Sequence, residues 1–209
     1  MLWAIRRGGE VAEDPLTDPA FVERLCVHEA GHVAVALALE GPSFVTAVRL
    51  SALGGATSIG EDGVDLGHVA DHELRSRLAV AYGGLLAEQV VLGDGSLGSE
   101  SDFGTATQLL ERRVGAGLDA RFPPINPGAL RAESDELASR VSQAVIDGAD
   151  TCAAVAARAV LANEGPIRRF AAALATAREL TGEALQAAIA DAGFVPIAEP
   201  PAPPDETPA

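Results

Sequence analysis

Apolar positions recur at helical spacing through Phe21, Leu25, Val35 and Leu39, with His28 and His32 on the same stripe. Side chains every three to four residues on one face predict a helix. Asp18-Pro19 reads as an N-cap followed by proline at the first helical position, and Gly41-Pro42 ends the helix. The period then changes. Phe44 to Leu50 alternates as a strand does, Ser51 to Gly55 is a turn, and Ala56 to Ile59 is a return strand. Gly60 to Gly67 is an acidic, glycine-rich loop. A second helix is predicted from Asp71, its expected cap, to Val91. A third starts near Asp102, after the Gly/Ser-rich loop 93–101, and stops at Gly115-Ala116-Gly117. Arg121 to Gly128 holds three prolines and reads as a connector. A long helix follows from Ser134 to Ala162, weakened by Gly148 and stopped at Asn163-Glu164-Gly165. Pro166 opens another helix, and Thr181 caps a last one ending near Ala192.

These elements predict a mainly α fold with a small β-sheet, an α+β class with a helical C-terminal region. Residues 1–17 lack a period and form a loose lead-in, 18–194 make one domain, and 195–209 are a proline-rich acidic tail expected to be disordered. Apolar residues are 48% of the chain, enough for a sizeable core, but aromatics are 4%, so Ala, Val and Leu must fill it. Thirty acidic against 15 basic residues give a net charge of −15. That field repels phosphate backbones and anionic membrane surfaces, so no nucleic acid partner is expected. Every basic residue is arginine, a usage expected of a high-GC bacterial genome. No apolar run approaches the roughly 18 residues of a membrane span, so no membrane segment is expected. Cys26 and Cys152 have no CxxC-type spacing and read as small buried hydrophobes, consistent with a reducing cytoplasm.

The chemistry is carried by His28-Glu29-Ala30-Gly31-His32, an HExxH pattern inside the first helix. Spacing i, i+4 turns the side chain by about 40° and raises it about 6 Å, so both imidazoles leave one face and can share an ion. Zinc suits imidazole and tolerates an open tetrahedral position. Glu29 leaves the neighbouring face, beside the metal, where it can act as general base on a water. The bland alternative is a histidine pair with an incidental carboxylate. Yet Cys26-Val27 and Val33-Ala34-Val35 flank the motif, and burying two histidines and a carboxylate without partners is costly. A metal removes that cost.

A catalytic zinc needs a third protein ligand. The positions three and six beyond His32 are Val35 and Ala38, so the extended metzincin spacing is absent. Three candidates are open: Glu88 on the second helix, Asp102 at the start of the third, and the pair His68 and His72. A helix start keeps a carboxylate ionised, which favours Asp102, although plain capping is its bland role. His68 and His72 straddle a loop-to-helix junction and need not share a face.

The residues resemble the peptidase domain of the FtsH family of zinc proteases over about residues 18–192. The resemblance is carried by His28–His32, by Val45–Gly60, by Ala79-Val80-Ala81-Tyr82-Gly83-Gly84 with Ala87-Glu88, and by Ser101-Asp102 with Ala106-Thr107. Glu179–Ile189 is similar to the family's final short helix. The chain departs from the family at Leu85, Gln89, Ser101 and Val114–Gly117. The resemblance implies a zincin-like HExxH helix with zinc on His28, His32 and Asp102, not Glu88, and Glu29 as the base. It also implies hydrolysis of unfolded or short polypeptides, with the Val45–Leu50 strand as a candidate edge for an extended peptide. With no lysine there is no P-loop lysine, so activity is expected without nucleotide, or with an ATPase in trans or as a homo-oligomer. The rival expectation is a non-catalytic module that keeps the fold and binds partners.

Overall fold

The computed structural model describes residues 14–60, 69–125 and 134–198. Six helices are described: α1 (Pro19–Glu40), α2 (Asp71–Leu92), α3 (Glu100–Gly115), α4 (Asp135–Ala162), α5 (Glu164–Ala177) and α6 (Gly182–Ala192). Strands β1 (Val45–Ser51), β2 (Gly54–Ile59) and β3 (Glu179–Thr181) form one antiparallel sheet in the order β2-β1-β3. The protein is thus mainly α with a small sheet, as its pattern predicts.

Helix α1 is the centre of the molecule. Asp18 caps it by accepting the Ala20 N–H at 2.9 Å. Every residue from Cys26 to Ala38 is buried, so the helix is enclosed on all sides rather than along one stripe. Its small side chains allow this. At the crossing with α2, a Cβ on Gly31 would stand 2.5 Å from the Ala87 Cβ and 2.8 Å from the Gly83 carbonyl carbon. Two backbones therefore touch where the chain carries Gly31 and Gly83. The amphipathic α4 and α5 close the core with Ala156, Ala159, Ile167, Phe170 and Leu174. Both cysteines are free and buried, and burial pushes each thiol up to about 11.

Several expectations change. Strand β1 is the middle strand, pairing Val48 with Thr57 on one side and with Leu180 on the other, so it is not the open edge. Glu179–Thr181 is strand rather than the start of a helix, because Ala47–Arg49 supply it with partners. Asp71 is the first residue of α2 and does not cap it; Ala70 holds that position. Asp102 is the third residue of α3.

The expected tail begins at 195, but residues 195–198 run back along the helices. The fully buried Asn163 donates to the Val195 carbonyl and accepts its N–H, and the Ile197 N–H donates to the Ala38 carbonyl. The rest of that tail, most of the lead-in, most of the acidic loop and part of the connector lie outside the described residues. No described helix is long and apolar enough to cross a membrane.

Candidate metal centre

His28 and His32 leave α1 on one face, and their Nε2 atoms lie 3.0 Å apart. The Oδ2 of Asp102, from the first turn of α3, is 3.3 Å from His28 Nε2 and 3.5 Å from His32 Nε2. Four bonds of about 2.0–2.1 Å in a tetrahedron set ligand atoms about 3.3 Å apart. The three spacings bracket that value, and the donor set, two imidazoles and a carboxylate, suits zinc. Among the described residues this is the group of histidine and acidic side chains that could hold a metal.

The outer nitrogens of both rings are fixed. His32 Nδ1 lies 2.7 Å from the Val80 carbonyl, which only accepts, so Nδ1 donates there and Nε2 is the nitrogen that faces the centre. His28 Nδ1 lies 2.8 Å from Glu88 Oε1. Glu88 is 1% exposed and also accepts from Arg24 Nη1 at 2.8 Å and from Ser96 Oγ at 3.1 Å. Burial would raise its pKa, but the hydrogen bonds from His28, Arg24 and Ser96 hold it below the usual carboxylate range. Burial would likewise lower His28, yet its bonds to Asp102 and Glu88 and the nearby Glu29 charge lift it to about 9. Asp102 is held well below the usual range despite burial, by its bonds to His28 and His32. Two carboxylates thus flank the His28 ring, Glu88 at Nδ1 and Asp102 at Nε2.

Packing supports that arrangement. A Cβ on Gly84 would stand 2.5 Å from His28 Nε2, so the glycine pair of α2 leaves room first for α1 and then for the His28 ring. The carboxylate of Glu29, 3% exposed, points instead to β2, where Thr57 Oγ1 donates to Oε2 at 2.6 Å. In front lies an open cavity of about 360 Å³ bordered by Glu29, His32, Thr57, Ile59, Arg77 and Asp102.

The structure thus brings together His28, Glu29, His32 and Asp102. Glu88, weighed from the sequence as a third ligand, faces the Nδ1 side of His28, away from the convergence point. His72 is exposed on the first turn of α2 and takes no part; His68 lies outside the described residues. Sequence reasoning missed Arg24, Thr57, Ser96 and the Val80 carbonyl. Arg24 could have been found, because it stands four residues before His28 on the same face. The others are joined to the motif by tertiary packing alone.

Several similar proteins are named ATP-dependent zinc metalloprotease FtsH. The ATP-dependent zinc metalloprotease FtsH 2 of Symbiobacterium thermophilum is 32% identical over 151 residues, 67% of this chain and 26% of that protein. FtsH 2 of Sphaerobacter thermophilus is 30% identical over 180 residues, 83% of this chain and 28% of that protein. An ATP-dependent zinc metalloprotease FtsH of Thermus thermophilus is 35% identical over 133 residues, 56% of this chain and 21% of that protein. The chain spans about a quarter of the length of the first two. The model of peptidase family M41 matches residues 19–187, which run from the first turn of α1 into α6 and take in all the groups above. The chain belongs to peptidase family M41.

Proposed function

We propose that the chain is a zinc metallopeptidase that hydrolyses peptide bonds in unfolded or short polypeptides, with zinc held by His28, His32 and Asp102. The observation that carries this is the convergence of two Nε2 atoms and one carboxylate oxygen at 3.0, 3.3 and 3.5 Å, with both outer nitrogens already engaged. When bound, zinc supplies a Lewis acid that raises the acidity of a water and polarises a peptide carbonyl. Glu29 stands beside the ligand set and serves as general base. Its carboxylate takes a proton from the attacking water as the water oxygen bonds to the carbonyl carbon. It then returns that proton to the amide nitrogen as the C–N bond breaks.

The substrate edge follows from the sheet order. Strand β1 is paired on both sides, and β2 is the strand that borders both Glu29 and the cavity. An extended polypeptide would add to β2 through main-chain hydrogen bonds, a mode with little sequence preference. The chain has no lysine for a P-loop, so these residues act without nucleotide of their own. A homo-oligomer or an ATPase in trans would serve delivery of folded substrates. The test is cleavage of unfolded casein by zinc-loaded protein, alongside elemental analysis. About one zinc per chain with chelator-sensitive cleavage is the expected result. Zinc binding without any cleavage would favour a non-catalytic binding module.

A further inference from the structure

Strand β2 touches both oxygens of Glu29, and the two contacts differ in kind. Thr57 Oγ1 donates to Oε2 at 2.6 Å, a short bond to an anionic acceptor. Gly55, two residues earlier on the same face of the strand, lies against the other oxygen: a Cβ there would collide with Oε1 and stand 2.5 Å from Cγ and from Cδ. One oxygen is thus occupied by a donor, and the other is left in a space that only a glycine provides.

Given the peptidase reading above, we propose that Thr57 is a positioning residue that fixes Glu29 through Oε2 and leaves Oε1, above Gly55, as the oxygen that takes the proton. The pairing of β2 supports this role. Thr57 is opposite the fully buried Val48 of the central strand, so its hydroxyl is held by the sheet rather than by a loop. A hydrogen bond orients a carboxylate that would otherwise rotate about its terminal torsion, which has no sharp rotamer wells. Orientation of the base matters because proton transfer requires hydrogen-bond reach in the reacting geometry. In this scheme β2 meets the substrate through its main chain, and the Thr57 hydroxyl acts through Glu29.

Three variants separate this role from plain strand stability. Thr57→Val keeps the β-branched shape and removes the donor, Thr57→Ser keeps the donor, and Gly55→Ala displaces Oε1. Zinc content, melting temperature, kcat and KM on a quenched unfolded polypeptide are measured for each. Thr57→Val should keep its zinc, fold and KM while kcat falls about 10- to 100-fold, the range for losing a hydrogen bond to a charged group. Thr57→Ser should recover most of that loss, and Gly55→Ala should lower kcat at unchanged zinc. A Thr57→Val enzyme with kcat within about twofold of wild type, or a Thr57→Ser enzyme as slow as the valine, would overturn the proposal. A crystal structure of Thr57→Val supplies a readout that does not depend on turnover. If its Glu29 carboxylate keeps the wild-type orientation, the proposal fails even if the peptidase reading stands. If wild type cleaves nothing while that carboxylate rotates in the variant, the peptidase reading fails and the positioning contact stands.

Discussion

His28 Nδ1 and Glu88 Oε1 meet at 2.8 Å on the side of the ring opposite the convergence point, and Arg24 Nη1 closes on the other Glu88 oxygen at 2.8 Å. In the proposed zinc site Glu88 would thus orient His28 rather than bind the metal, and its buried charge is balanced from α1 at both ends. Partners of this kind raise ligand basicity and lock the ring, and their loss typically weakens metal affinity or activity by about 10–100-fold. Asp102→Ala removes an atom of the proposed ligand set itself. Asp102→Ala is expected to lose most of its zinc and all measurable cleavage, and Glu88→Ala to keep substoichiometric zinc with reduced turnover. Zinc titrations of both variants check this; equal affinities would refute the division of roles.

Much of this was readable in the sequence where the signal is local. The cap at Asp18-Pro19, the stop at Gly41-Pro42 and the i, i+4 histidines are all set within one or two helical turns, and α1 and its paired-histidine face follow from them. Asp102 was placed near a helix start by the glycines and serines before it, though the choice over Glu88 needed the family resemblance. What could not be read depends on distant chain. Three residues, Glu179–Thr181, become a strand because β1 offers them partners 130 residues away, and Arg178 precedes them in a left-handed conformation (φ 64°) that no glycine announces. The same late pairing makes β1 central and moves the open edge to β2. Thr57 on Glu29 and the Val80 carbonyl on His32 are likewise products of packing.

The crossing of α1 and α2 makes a stability prediction with an internal control. Gly31→Ala places a methyl group against the Gly83 backbone, which cannot give way as a flexible side chain would. Overpacking of this kind costs about 1–3 kcal/mol, a drop of roughly 2–12 °C in Tm for a domain this size. Gly104, inside α3, has nothing within 4 Å of a Cβ, so Gly104→Ala should be neutral or stabilising by about 0.5–1 kcal/mol. Thermal melts of the two variants under one condition provide the comparison. Equal shifts would mean that the crossing tolerates a methyl group.

Part of the acid sensitivity should arise in the turn after α3, at Asp119. Asp119, 8% exposed, accepts from the Arg121 backbone N–H and Nε at 3.0 Å each and from Nη2 at 2.8 Å. These hydrogen bonds, against burial and aided by the charges of Arg121 and Arg113, hold its carboxyl below the usual range. A depressed folded-state pKa stabilises the fold above the unfolded value of about 4 and ceases to do so as pH falls through the folded value. Asp119→Asn should therefore be less stable than wild type at pH 7, and should lose less stability between pH 5 and pH 3. Urea midpoints at those pH values measure both, and parallel losses in the two proteins would count against the assignment.

Glu29→Gln is the sharpest test of the chemistry, because the surrounding contacts dictate how the amide will sit. The Thr57 hydroxyl now donates to Oε2 at 2.6 Å, so the carbonyl oxygen of glutamine takes that place and its NH2 group lies over Gly55. Size, burial and the bond to β2 are all retained, and His28, His32 and Asp102 are untouched, so zinc content should match wild type. What is lost is the acceptor: an amide NH2 cannot take a proton from water. Removal of a general base typically lowers the rate by about a hundred- to ten-thousand-fold, and KM should change little because Glu29 contributes no strand pairing to the substrate. The assay is turnover of an unfolded, fluorescently quenched polypeptide at matched zinc and without nucleotide. A variant that cleaves as fast as wild type would show that Glu29 is not the base.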